Sequence, residues 1–171
     1  MVVWGAMPRV LLVLAFLLAI ARADAPKYQL DGNNLVVPFP VAFETGKATL
    51  TPESDKALAY VKGYLDAKPD ITLLRIEVHT DASGDAAAGQ ALTEDRAHAV
   101  AVALVAKGID CQRVLPVGFG ATKPVADNGT PDGKAANRRT VFANAQLRKR
   151  AIGGQPVEGG GKISRGPALC H

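Results

Sequence analysis

The chain predicts a two-layer α/β sandwich, with helices packed on a single face of a sheet, and three observations lead there. Residues 71–80 alternate in their second half: Leu74, Ile76 and Val78 point one way while Arg75, Glu77 and His79 point the other. That pattern gives a strand with one buried and one wet face, and so helices on one side only. Two amphipathic stretches, at 51–68 and 85–107, supply the helices. The length of 171 residues allows one domain with a real core and hardly two.

Taken in order, the chain opens with a segment to be set apart from the fold. Met1 to Arg9 is positively charged, Val10 to Ile20 is an unbroken apolar run, and Ala21-Arg22-Ala23 has the form of a cleavage site. Residues 1–23 therefore predict a secretory signal peptide. The apolar run is shorter than the roughly 20 residues a bilayer span needs, which disfavours the other reading, an uncleaved anchor. No cysteine stands near the cleavage site, which argues against a lipid-anchored lipoprotein. Residues 24–34 form a lead-in to a domain expected over 35–147.

An extended segment at 35–37 is interrupted by Pro38 and Pro40 and resumes at Val41-Ala42-Phe43. The prolines suit an edge strand or an irregular one. Thr51-Pro52-Glu53 reads as a helix start, with a capping hydroxyl, a proline at the first helical position and an acid near the positive end of the dipole. Ala57, Leu58, Val61 and Leu65 give this helix its apolar face, and Lys68-Pro69 ends it. The second helix, over 85–107, is stopped by Gly108 at the C′ position; Gly89 and an alanine run weaken its first turns, so it is expected to firm up near Leu92. A third strand follows at 114–117 and a fourth at 138–147, separated by a loop rich in Gly, Pro, Asn and Asp from Gly118 to Gly133. Residues 148–171 are Gly-rich and basic with few large apolar residues, the composition of a disordered tail.

The formal charge of +4 overstates how basic the domain is. Residues 24–147 hold 13 Lys and Arg against 15 Asp and Glu, and the basic excess sits in the two ends. A nucleic-acid binder needs a basic face on the domain itself, so nucleic acid is not an expected partner. Cys111 and Cys170 pair with each other, leave a free tail thiol or cross-link two chains; the sequence leaves all three open.

Arg96 is the residue out of place. It stands on the apolar stripe of the second helix, four residues after Leu92 and four before Val100. A guanidinium there is costly unless an anion meets it. Asp81 closes the strand fifteen residues earlier, so the fold can bring both charges to one cleft suited to a zwitterionic head group. The plainer readings stand beside these: Arg96 pairing with Glu94 or Asp95 to hold the helix, and Asp81 as ordinary turn chemistry in Thr-Asp-x-Ser-Gly. His79 and Asp81 share a strand face, but no third ligand joins them, so no metal is expected. No nucleophile elbow is present, and Gly118-Phe119-Gly120 does not open a helix as a dinucleotide fingerprint must. Neither an enzyme nor a cofactor is expected. Asn137-Arg138-Arg139 on a strand places two cations on opposite faces, so that at most one faces the cleft.

From about residue 36 to 142 the chain resembles the peptidoglycan-binding domain found at the C-terminus of outer-membrane protein A, in peptidoglycan-associated lipoprotein and in flagellar stator subunits. The resemblance rests on Val41-Ala42-Phe43 with Lys47-Ala48-Thr49-Leu50-Thr51-Pro52-Glu53, then Thr80-Asp81, then Leu92-Thr93-Glu94-Asp95-Arg96-Ala97. It continues through Gly118-Phe119-Gly120, Lys123-Pro124, Asn128-Gly129-Thr130, Gly133 and Asn137-Arg138-Arg139. Each motif alone is weak, and their order and spacing carry the match.

The resemblance implies a β-α-β-α-β-β order with a mixed sheet, and a non-enzymatic protein that grips the diaminopimelate of a peptidoglycan stem peptide. It implies that Asp81 takes the ammonium and Arg96 the carboxylate, with Phe43, Thr80, Leu92 and Arg138 lining or bracing the pocket. It places the protein in a Gram-negative periplasm at the cell wall, near the outer membrane, with room for an outer-membrane or envelope protein partner. Three positions depart from the family's pattern: Gly89 where an asparagine is usual, Thr140-Val141 after the arginine pair, and His79 before Thr-Asp. The alternative is a module of the same fold that no longer binds peptidoglycan and acts through a protein partner.

Overall fold

The computed structural model describes residues 27–164, 166 and 168–170, and the expected signal peptide at 1–23 lies outside them. Helices pack on one face of a mixed sheet, as expected. The sheet runs β1(Gln29–Asp31), β2(Asn34–Val36), β5(Thr140–Leu147), β3(Ile71–His79), β4(Val114–Gly120), β7(Lys162–Ile163) in space, and β6(Arg150–Ala151) pairs with β5. The central strand β3 pairs parallel with β4 and antiparallel with β5. The lead-in is thus part of the sheet: β1 and β2 form an edge hairpin turned through Gly32 at φ 56°. Strand β2 ends at Val36, shortly before Pro38 and Pro40, which cannot donate to a ladder.

The helices α1(Ser54–Ala67) and α2(Ala86–Ala106) cover one sheet face. Leu74 and Ile76 of β3, Phe142 of β5 and Val114 of β4 meet Val61 and Leu65 of α1 and Val100 and Leu104 of α2 in a single core. Burying each such side chain stabilises by about 1.5–3 kcal/mol against leaving it in water. The start of α1 differs from expectation. Residues 51–54 form a turn, with the Ser54 amide donating to the Thr51 carbonyl, and the helix begins at Ser54 without a side-chain cap. Ser54 is buried and ties back to residue 42, accepting from the Ala42 amide and donating to its carbonyl, both at 2.8 Å. This clamp fixes the 41–43 segment beside α1.

Helix α2 is intact from Ala86, despite Gly89 and the alanine run. Asp85 caps it, its Oδ1 accepting from the Ala88 amide at 2.8 Å. At the other end Gly108 adopts φ 95°; its amide reaches the Val105 carbonyl and the Ile109 amide reaches that of Leu104. This is the paired bonding of a glycine-terminated helix, with Ile109 and Leu104 both in the core.

Two expectations fail. The stretch to Gly133 is not all loop, because Pro131–Asn137 forms a short helix α3 with Thr130 as its cap, accepting from the Gly133 amide. The second concerns the tail and the sheet's outer face. Arg75, Glu77 and His79 are buried at 7%, 7% and 2% exposure, so that face is not wet. Residues 150–163, expected to be disordered, lie across it. The Ile152 amide donates to the Ala145 carbonyl, Arg75 reaches the Gln155 carbonyl, and Gly161 is so close to Phe119 that a Cβ would fall 2.7 Å from its ring. The tail then pairs with β4 as β7 and returns to a disulfide between Cys111 and Cys170. Composition pointed to disorder, but a cross-link and sheet pairing are long-range constraints that composition does not carry. Among the described residues no helix is long and apolar enough to cross a membrane.

Candidate functional site

A cavity of about 430 Å³ opens where β3 ends and β5 begins. The clamped segment contributes Val41, Ala42 and Phe43 to its wall, α2 contributes Arg96, and the end of α3 contributes Arg138 and Arg139. Arg96 flanks the buried stripe of α2, which runs through Thr93, Ala97, Val100 and Leu104, rather than standing on it. Its stem is half-buried. The Nε donates to the Lys47 carbonyl at 2.9 Å, and the guanidinium lies 4.8 Å from the centre of the Phe43 ring, within cation–π range. The structural pairing with Glu94 or Asp95 is not made among the described residues, and Glu94 instead accepts from Gln90. Burial works against the charge of Arg96, yet a guanidinium stays protonated at any physiological pH.

Asp81 does not meet Arg96. Its Oδ2 accepts from Arg138 at 2.5 Å and its Oδ1 from the Ser83 amide at 2.8 Å. The Arg138 bond, helped by Ser83, holds its carboxyl below the usual carboxylate range against the opposing effect of burial. Asp81 thus holds Arg138, which lines the cavity, and is not itself in the cavity wall. Thr80 is pinned by its amide to the Gly120 carbonyl. Its methyl faces Gly89, where an added Cβ would sit 3.4 Å away, so the usual asparagine's position borders Thr80. Leu92 is half-buried one turn before Arg96 and, like Thr80 and Asp81, is not part of the cavity wall.

Both arginines after Asn137 line the cavity, contrary to the strand-parity expectation. The reason is that Asn137 ends α3 and Arg138 is its C-cap, so the alternation of a strand begins only at Thr140. Asn137 is fully buried and holds the preceding loop. It accepts from the Val125 and Ala126 amides at 2.7 and 3.1 Å and donates to the Ala126 carbonyl and Asn128 Oδ1, both at 2.9 Å. Asn128 in turn accepts from the Ala82 amide, joining this loop to the one carrying Asp81. The loop chemistry, so ordinary in sequence, is what sets Arg138 beside Asp81.

His79 is the other wall residue whose place the sequence concealed. It stacks on Phe119 with ring centres 5.0 Å apart and planes 12° from parallel. Among the described residues neither ring nitrogen has a hydrogen-bond partner; Nε2 lies 3.4 Å from Glu77 Oε2, poorly aligned for one. Glu77 is itself bound by Arg75 Nε at 2.6 Å. Burial, first of all, holds the imidazole below its ordinary pKa; Arg139 and Lys123 act in the same direction, and Glu77 opposes them. A depressed value means that the folded chain binds fewer protons than the unfolded one. The stability His79 contributes is thus present above the unfolded value near 6.5 and is lost as pH falls through the folded one. Urea unfolding from about pH 7 to 5 is expected to show a decline that His79→Phe makes shallower. Parallel profiles for the two proteins would contradict this. Among the described residues no three His, Cys, Asp or Glu side chains are grouped to hold a metal.

Comparison with known proteins places these features. The model of the OmpA family matches residues 42–138, which run from the clamped segment to Arg138. The probable lipoprotein YiaD of Escherichia coli is 36% identical over 119 residues, covering 68% of this chain and 54% of that protein. The peptidoglycan-binding protein ArfA of Mycobacterium tuberculosis is 38% identical over 106 residues, covering 62% of this chain and 32% of that one. The chain therefore spans about half the length of the first relative and a third of the second. Among solved structures, the peptidoglycan-associated lipoprotein of Burkholderia pseudomallei superposes with a TM-score of 0.54 at 28% identity, over 60% of this chain and 86% of that one. Matched by the family model across both charged elements of the cavity and sharing the fold of such a relative, the chain belongs to the OmpA family.

Proposed function

We propose that this protein binds peptidoglycan non-covalently at the bacterial cell wall, on the periplasmic side, and that its role is attachment rather than catalysis. The observation that carries the reading is Arg96: a half-buried side chain, braced by a backbone carbonyl and an aromatic face, lining a cavity and with no carboxylate partner among the described residues. Such a group awaits an anion. The names of ArfA and of the Burkholderia lipoprotein support peptidoglycan as its source.

The finer reading is diaminopimelate of the stem peptide, with its carboxylate on Arg96 and its ammonium on Asp81. Each carboxylate oxygen of Asp81 has a second lone pair, so an ammonium can share it with Arg138 rather than displace that residue. Phe43 braces Arg96, Arg138 orients Asp81, and Thr80 and Leu92 support the strand end and helix that carry the pair. No side chain at Gly89 adds a hydrogen bond there.

Sedimentation with purified, diaminopimelate-containing sacculi tests the reading. Asp81→Ala and Arg96→Ala are each expected to weaken binding by about 2–3 kcal/mol, roughly 30- to 150-fold, in proteins that remain cooperatively folded under the assay conditions. Failure of the unsubstituted protein to sediment overturns the proposal and favours a module acting through a protein partner.

A further inference from the structure

The cavity carries more positive charge than one carboxylate needs. Three guanidinium groups line it, those of Arg96, Arg138 and Arg139, and no Asp or Glu is in its wall. Among the described residues only Arg138 of the three has a carboxylate partner, Asp81. Arg139 spends its donors on neutral backbone, with Nη2 on the Lys123 carbonyl at 3.1 Å and Nη1 on that of Asn137 at a long 3.4 Å. Glu77, the acid whose field Arg139 feels, is already bound by Arg75. Two half-buried cations on one small space, both without an ion-pair partner among the described residues, are unfavourable by mutual repulsion and desolvation. An occupant with one negative charge offsets only one of them.

The position of Arg139 adds a second observation. It also lines an adjoining cavity of about 280 Å³, which shares Val41, Arg138 and Thr140 with the first and is bounded further by residues that include Val37, Pro40 and Phe142. Arg139 thus stands where the two spaces meet. A ligand long enough to pass from one to the other carries its next polar group past this guanidinium.

Resting on the peptidoglycan reading above, we propose that Arg139 is a second carboxylate anchor, and that the site selects stem peptides bearing a free carboxylate in addition to the one held by Arg96. That second carboxylate belongs either to the neighbouring D-glutamate or to the C-terminus of the peptide. Amidation at that position then works as a chemical mark that the protein reads as a reason not to bind.

The test is calorimetric titration of the purified full chain with three synthetic tripeptides of L-alanine, γ-linked D-glutamate and diaminopimelate: unmodified, amidated at the glutamate α-carboxylate, and amidated at the C-terminal carboxylate. One of the two amidated peptides is expected to bind about 10- to 100-fold more weakly than the unmodified one, and which of them does so identifies the source of the carboxylate. R139Q is expected to bind the unmodified peptide more weakly and to lose that discrimination. R96Q is expected to bind all three weakly while still discriminating. R139K, which keeps the charge, is expected to retain a reduced preference and serves if R139Q does not fold. Equal affinity of the unsubstituted protein for all three overturns the proposal, as does discrimination that survives in R139Q. Binding to none of them overturns the diaminopimelate reading beneath it as well.

Discussion

Gly118→Ala is expected to cost about 3 kcal/mol of stability and to weaken ligand binding although it lies outside the cavity. Strand β4 passes directly beneath α2 at this point. A Cβ on Gly118 would fall 2.4 Å from the Glu94 amide nitrogen, 2.7 Å from its Cα and 2.7 Å from the Thr93 carbonyl carbon. All three are helix backbone, which cannot turn aside as a side chain does. The approach is also fastened by polar contacts. Gln90 Nε2 donates to the Gly118 carbonyl at 2.8 Å, and Thr93, itself fully buried, accepts from the Gly120 amide at 2.9 Å. Relief of the clash requires α2 to lift from β4, which breaks these bonds and opens the core at Ala97 and Val100. Arg96 follows two residues after Glu94, so the lift moves the guanidinium away from Phe43. Urea denaturation gives the first effect and sacculus sedimentation the second. A loss below about 1 kcal/mol would mean that the two backbones are not packed this closely.

The helix–strand frame could be read from the sequence because its signals are local. Asp85 and Gly108 bracket α2 with a side-chain cap and a left-handed residue, and both act as their residue types dictate. The alternation in β3 identified its two faces, and the core face is the one that meets the helices. Thr130-Pro131 carried the same cap-and-proline signal as Thr51-Pro52, but the Gly, Pro, Asn and Asp content up to Gly133 made the start of α3 look like loop. That short helix then shifts Arg138 out of strand geometry, which is why the parity argument allowed only one of the two arginines to face the cleft. The Asp81–Arg138 bond joins residues 57 apart in sequence and depends on the Asn137 and Asn128 network, so no local pattern announces it. Arg96 was legible as an anomaly, though its edge position on α2 makes it less buried than the periodicity implied. The polar row of β3 was legible as polar and not as buried, because what covers it arrives from the far end of the chain.

Cys170→Ser is expected to remove about 2–4 kcal/mol from global stability and to release the tail first. The disulfide spans 59 residues, from the 3₁₀ turn Cys111–Arg113 to the tail. Closing a loop of that size in the unfolded chain corresponds to about 4 kcal/mol in the chain-entropy model. That figure is a ceiling here, because the tail can leave the sheet without the core unfolding. Among the described residues its noncovalent attachments are two-residue pairings at β6 and β7, single hydrogen bonds such as those of the Ile152 and Ser164 amides to the Ala145 and Pro116 carbonyls, of Asn33 to the Ile152 carbonyl and of Arg75 to the Gln155 carbonyl, and Leu169 against the core. Beneath it lie Arg75, Glu77 and His79, and returning such groups to water recovers much of their lost hydration. Docking of the tail therefore depends on the covalent bond more than on the surface it buries. In the serine variant the amides of residues 152 and 164 should exchange at rates close to those of free chain, while β3 amides retain protection set by the core. The His79 contribution to pH dependence should shrink in the same variant, since an imidazole reached by water no longer resists its proton. Retained protection at 152 and 164, with an unchanged urea midpoint, would show that noncovalent contacts alone hold the tail to the sheet.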